Sequence, residues 1–223
     1  IMKKIKLILS IFLVIFLCKE ESQAENHNYS FKAGEKCEYN LYYNWGFIWI
    51  NAVKVDFTVK EKRYKNFPAF ELQMASKTNK AFSLLTMRDT LTSYVKQKNL
   101  EPLTFIQTIH EDNYFAINKF DYFYEKNLWG VQIEKERKKG VRYETFVSEK
   151  RFYDVVTTLY KLRNIDISKL KPNQKIPMPL VFDDGIYDDL YLRYVGKETI
   201  KLKNGDTYQC LKLKPLLAEG KMF

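Results

Sequence analysis

Histidine is almost missing from this chain. His27 and His110 are the only two in 223 residues, so a catalytic or metal centre built on imidazole has little to draw on. Cysteine is nearly as scarce, and no two of Cys18, Cys37 and Cys210 have the short spacing of a zinc site. The 8 glycines form no phosphate-cradling loop, and there is neither a nucleophile elbow nor a metalloprotease helix. The longest apolar run, Leu7 to Leu17, is broken by Ser10 and is shorter than the roughly 20 residues a membrane helix needs. No internal repeat or linker divides the chain. These absences predict a protein without a cofactor, and none of its parts reads as an enzyme.

Hydrophobic residues at 46% with charged residues at 29% describe a folded chain with a real core. Aromatics reach 16%, mostly Tyr and Phe, which suit a pleated, half-buried surface. Residues 1–24 read as a signal peptide. Lys3, Lys4 and Lys6 make a positive start, the apolar run follows, and Ser22-Gln23-Ala24 offers a small-x-small cleavage site. Met2 reads as the start of translation. Two exits stay open, cleavage after Ala24 or lipid anchoring through Cys18, whose preceding Leu17 is large for a lipoprotein signal. Either exports the protein to the periplasm. Cleavage after Ala24 lowers the net charge from +10 to +8, because four lysines and two glutamates leave with the segment. A basic exported domain is suited to anionic lipid head groups or acidic glycans, or simply to staying dissolved; nucleic acid is not an expected partner.

Strand signals dominate residues 25–223, which are expected to form a single β-rich domain. Lys36–Asn44 and Phe47–Lys60 predict a hairpin around Gly46, and Phe70, Leu72 and Met74 alternate with Glu71 and Gln73. Further strands are expected on either side of Asn99–Pro102, then over Tyr114–Tyr124, Leu128–Lys138 and Val141–Val147, with turns at Asn127 and Lys139-Gly140. One segment changes period. Phe152, Val155, Val156, Leu159 and Leu162 recur every three or four residues, which predicts an amphipathic helix capped by Ser148 and stopped at Asn164. Strands then resume at Ile176–Phe182, Tyr187–Tyr194, Glu198–Leu202 and Tyr208–Lys214, around turns at Asp183-Asp184-Gly185 and Asn204-Gly205-Asp206. The expected architecture is an antiparallel, strongly bent sheet or open barrel of about eleven strands with one main helix packed on it.

Candidate site residues are few. Asp183, Asp184, Asp188 and Asp189 form the densest carboxylate cluster, but they lack the spacing of a calcium loop and read equally as a solvated turn. His110 lies beside Glu111 and Asp112 at a strand end. Cys37 and Cys210 are placed either to pair or to fill two strands as small apolar residues. The basic run Arg137, Lys138, Lys139 and Arg142 sits at a hairpin tip, where it would touch an anionic membrane surface or simply keep an edge soluble. Aromatics recur in Tyr42, Trp45, Phe47, Trp49, Phe120, Tyr122, Tyr124 and Trp129, on strands read as neighbours. Alternation from Val53 and Val55 back to Phe47 and Trp49 turns those two inward. Tyr43, Trp45, Phe47 and Trp49 are the candidate lining of a pocket for an apolar or lipid-like ligand.

The stretches "GEKCEYNLYYNWGFIWINAVKVDF", "LTMRDTLTSYVKQKNLEPLTF", "VTTLYKLRNID", "LRYVGKETIKLKNG" and "YQCLKLKPLLAEGKMF" resemble the domain-of-unknown-function 3108 family of exported bacterial proteins. The likeness implies a periplasmic β-rich domain and carries no activity or catalytic residue. In that family the pattern continues past a Gly-x-x-Phe like Gly220–Phe223, so this chain is expected to lack its last strands. Two functions follow from the sequence. The first is non-catalytic binding of an apolar or lipid-like ligand, and the alternative is a cell-envelope scaffolding or assembly module holding a protein or glycan partner.

Overall fold

The computed structural model describes residues 29–45, 48–79, 86–202 and 205–216. Eight strands form one antiparallel meander in which every strand pairs with its sequence neighbours. They are β1 (Lys36–Trp45), β2 (Ile48–Tyr64), β3 (Phe67–Thr78), β4 (Arg88–Lys96), β5 (Pro102–Glu111), β6 (Tyr114–Glu125), β7 (Leu128–Arg137) and β8 (Gly140–Ser148). β1 and β8 end the strand order, so the sheet is not closed.

Short turns set its register. Tyr64 pairs with Phe67 and Glu125 with Leu128. The two-residue turns between them, Lys65-Asn66 and Lys126-Asn127, have φ of 44°, 68°, 50° and 64°. Those left-handed angles match the twist of the flanking strands, and asparagine tolerates them. Gly140, at φ +127°, opens β8 after the Lys138-Lys139 turn, in a region that L side chains avoid. The expected turns at Asn127 and Lys139-Gly140 are therefore present.

After β8 the chain runs extended through Phe152 and Tyr153, where Tyr153 makes a parallel bridge to Leu180. It then forms helix α1, Val155–Leu162. This is shorter than the helix expected from Ser148 to Asn164. Ser148 ends β8 and its Oγ accepts from the Lys150 amide at 3.0 Å. The cap is Asp154, whose Oδ1 accepts from the Thr157 amide at 2.8 Å. Phe152 is buried as the periodicity implied, but it precedes the helix.

Five short or medium strands follow: β9 (Lys175–Pro177), β10 (Leu180–Phe182), β11 (Gly185–Tyr187), β12 (Tyr191–Lys201) and β13 (Thr207–Leu216). β10 and β11 form a hairpin around Asp183-Asp184, and β13-β12-β9 form a three-stranded sheet. Thirteen strands among the described residues exceed the expected eleven. Met178 and Pro179 split one expected strand in two, since proline cannot donate to a ladder. In the other direction, two expected strands merge into β12. Gly196, at φ +152°, absorbs a bulge there without ending the pairing.

The helix fills the inner face of the large sheet. Val59, Leu72, Ser93, Phe105, Phe120 and Ile133 stand opposite one another across β2 to β7, and none exceeds 1% exposure. Phe152, Val156 and Tyr160 join these residues in one apolar cluster, with Phe31 and Val181 from flanking segments. A second cluster, Leu162, Leu192, Tyr194, Leu211 and Leu213, ties the far end of α1 to the three-stranded sheet. Cys37 is half-buried on β1 and Cys210 buried on β13, so the two cysteines stand in different sheets.

Candidate functional site

Ser93 is the one polar member of the buried row. Its hydroxyl donates to Asp154 Oδ1 at 2.5 Å, and Asp154 also accepts from the Thr157 hydroxyl at 2.7 Å. Asp154 is fully buried, and that burial holds its carboxyl above the ordinary range against the pull of these hydrogen bonds. Tyr122 is only partly buried, but its hydroxyl is enclosed and is pushed far up by desolvation and then by the Asp154 charge. These polar groups anchor the helix to the sheet. Ser93, Asp154 and Thr157 are enclosed in the core.

One step along the strands the inner row becomes polar: Phe57, Met74 and Leu91 give way to Gln107, Asn118 and Lys135. Asn118 donates to Gln107 at 3.0 Å, and Lys135 pairs with Glu144 at 2.6 Å. From here the surface opens into a cleft of about 530 Å³ at the end of the sheet where the β5–β6 and β7–β8 hairpins turn. Tyr114, Phe115 and Val141 supply apolar surface, and Arg137, Lys138, Lys139 and Arg142 surround it with positive charge. Phe115 is 39% and Val141 47% exposed, so both present apolar carbon to solvent. Arg137 is spent partly on the Ile117 and Glu136 carbonyls. Lys138, Lys139 and Arg142 have no ion-pair partner among the described residues, so their charge faces outward.

The basic run was legible in the sequence; its apolar neighbours were not. Tyr114 and Phe115 meet the run because a meander returns alternate hairpins to the same end, a fact about topology rather than local pattern. The candidate lining residues Tyr43, Trp45 and Trp49 have described backbone but undescribed side chains, and Phe47 lies outside the described residues. The alternation counted from Val53 and Val55 back to Phe47 and Trp49 passes a break in the pairing of β1 with β2. The register slips between Leu41 and Tyr42, leaving Ala52 of β2 without a β1 partner, so the period-two count from Val53 is interrupted. Nor do all the aromatic strands neighbour one another, since β1 and β2 lie at the opposite side of the sheet from β6 and β7. Phe120 is core, whereas Tyr124 is 54% exposed.

The four aspartates are not brought together as a cation site. Asp183 stands at the edge of the basic cleft, Asp184 accepts from the Tyr187 hydroxyl, and Asp188 faces Lys150 at 3.6 Å. Among the described residues no group of three or more carboxylates, histidines or cysteines is placed to hold a metal. His110 donates its backbone amide to Asp89 and sets its ring edge-on to Phe115. The signal segment and Cys18 lie outside the described residues.

At the other end of the sheet Gly130 carries the Phe123 ring on its bare backbone. A Cβ added there would come within 2.2 Å of the ring. Gly130→Ala is expected to expel the ring and lower stability by about 1 kcal/mol, near the lower limit for overpacking. Urea unfolding of a double-mutant cycle with Phe123→Ala tests this, because the added methyl should cost nothing once the ring is gone.

Three comparisons place the chain among known proteins. A family model described as "Protein of unknown function (DUF3108)" matches residues 38–223. No curated protein and no solved structure matches.

Proposed function

From the premise that the chain belongs to the DUF3108 family of unknown function, we propose that it is an exported periplasmic protein that binds a lipid-like, anionic ligand without transforming it. Export rests on the charged start, short apolar run and Ala24 site of the N-terminus. The single observation that carries the binding is the cleft of Tyr114, Phe115 and Val141 beneath Lys138, Lys139 and Arg142. Exposed apolar carbon beside unpaired positive charge matches an amphiphile with a negative head group, and an anionic membrane surface presents the same chemistry. The inner face beside α1 is not the place for it, because Phe152, Val156 and Tyr160 occupy that space.

Native mass spectrometry of the protein purified gently from a bacterial envelope should show a lipid-sized added mass that organic extraction removes. A bare mass in repeated preparations counts against the carrier reading. With vesicles, binding should require anionic phospholipid and weaken as salt rises, since exposed charges are screened over about 10 Å at 0.1 M. The triple change Lys138→Glu, Lys139→Glu and Arg142→Glu should reduce vesicle binding at least about tenfold, at about 1 kcal/mol per basic residue. Unchanged binding would move the site elsewhere.

A second reading, an envelope scaffold, is favoured by β8. It ends the strand order, and residues 140–145 are all exposed, Val141 and Tyr143 included. Such an edge can accept a partner's strand. A stoichiometric protein recovered in place of the lipid would support it.

A further inference from the structure

We propose a second binding site, for a glycan bearing acidic sugars, in the cleft at the opposite end of the sheet. It occupies about 290 Å³ across the ends of β4 and β5, near the lower limit for a small-molecule pocket and so suited to one or two sugar rings. Phe67 overhangs it from β3 and Tyr124 from β6. Those strands lie three places apart in the sheet, about 14 Å between strand positions. Both rings are largely exposed, at 45% and 54%. Neither is needed by the apolar core, and a pyranose offers a carbon–hydrogen face that stacks on such rings.

The polar groups between them select the ligand further. Lys96 lies over Phe67, 4.9 Å from its centroid, and Arg151 over Trp129 at 4.0 Å. Both cations converge on Glu101. Lys96 Nζ is 2.5 Å from Glu101 Oε1, and Arg151 is 4.0 Å from Glu101 Oε2. A site for a bare anion would not carry a carboxylate at its centre. Sugar hydroxyls both donate and accept, so they can bond Glu101 and its flanking cations together. Lys65, on the cleft's edge, pairs with Asp121 on the outer face at 2.9 Å. With Lys65 spent on Asp121, Lys96 and Arg151 against the single Glu101 still leave the lining positive, which favours a uronic acid over a neutral sugar. Tyr124 packs tilted against Trp129 with ring centroids 4.6 Å apart, so a ring bound on Tyr124 changes the environment of that indole.

Trigalacturonate is the probe and maltotriose its neutral control, with the indole N–H resonance of Trp129, assigned through Trp129→Phe, as the readout. Trigalacturonate should shift that resonance saturably, and maltotriose should bind at least about tenfold more weakly. Tyr124→Ala and Arg151→Gln, both at exposed side chains, should each weaken binding about tenfold with the thermal midpoint unchanged. Absence of saturable binding below about 10 mM overturns the proposal, as does equal affinity for the neutral sugar or binding indifferent to both variants. The outcome is independent of the lipid-like reading, which concerns the other end of the sheet.

Discussion

Arg163→Ala is expected to cost about 3 kcal/mol of unfolding free energy, the lower end of the loss typical of breaking a buried ion pair by removing one partner, because this pair keeps some contact with solvent. Arg163 follows α1 and reaches back 128 residues to Glu35, with both side chains under 20% exposed. One guanidinium nitrogen meets Glu35 Oε1. The other donates to Glu35 Oε2 at 2.9 Å and to the Ser30 carbonyl at 3.0 Å. Asn164 accepts from the Ser30 amide at 2.8 Å beside it. Together they clamp residues 30–35 across the end of the helix. The clamp seats Phe31 against Tyr160 and Phe70, at ring distances of 4.9 and 5.6 Å. Alanine would leave Glu35 half-buried without its partner and loosen Phe31 from the core. With a slope of about 2 kcal/mol per molar urea, the unfolding midpoint should fall by about 1.5 M. Arg163→Lys should recover only part of this, because an ammonium cannot make the forked contact. A fall below about 1 kcal/mol would class the pair with ordinary surface bridges.

Asp154→Ala is expected to cost about 3 kcal/mol. About 1 kcal/mol comes from the lost helix cap. The rest comes from stranding the buried Ser93 hydroxyl, at about 1–3 kcal/mol for an unsatisfied group. Asp154→Asn separates shape from charge. The folded protein holds the Asp154 proton more tightly than the unfolded chain does, since burial raises that carboxyl. The folded state therefore binds more protons, and this residue's contribution to stability declines as pH rises above about 4, the ordinary aspartate value. Asp121 and Glu101 act in the opposite sense. Burial works to raise both, but Lys119 and Lys65 around Asp121, and Lys96 beside Glu101, bring them below the ordinary value. Their contribution is present above the ordinary carboxylate range and lost as pH falls through it. The difference in urea stability between Asp154→Asn and wild type isolates the buried group. It should shift in favour of the asparagine protein between pH 4 and pH 8. A difference constant with pH would show that Asp154 does not titrate differently on folding.

How much of this was legible depends on the range of each interaction. Phe70 and Leu72 turned onto the helix-covered face and Glu71 onto the other, where Lys60 and Tyr94 bury it, because side-chain direction in a strand is local. The outer face of Glu71 shows the same logic. It accepts from Tyr94, whose hydroxyl is pushed up to about 12 by burial and then by its hydrogen bond to Glu71. The count passes a break at Ala52, where the pairing with β1 slips. The helix face was legible, but its start was not. Ser148 is an equally good cap in isolation, and Asp154 wins because Ser93, 61 residues earlier, meets its carboxylate.

The basic hairpin shows the same division. Arg137, Lys138, Lys139 and Arg142 stand out in the sequence as a charged tip, and composition with the N-terminal pattern predicts export. That they overlie Tyr114 and Phe115 depends on which hairpins a meander brings to one end. The second cleft is less legible still, since Phe67, the Lys96–Glu101 pair, Tyr124 and Arg151 come from four separate stretches and form no motif. Strand alternation, turn chemistry, helix period and charge are short-range properties that neighbouring residues settle among themselves, and they describe a β-rich, basic chain with one amphipathic helix. Tertiary structure alone decided where the helix begins, which aromatics are core and which face solvent, and which charges share a cleft. Each of those turns on contacts between residues tens of positions apart, whose free energy exists only once the sheet has brought them together.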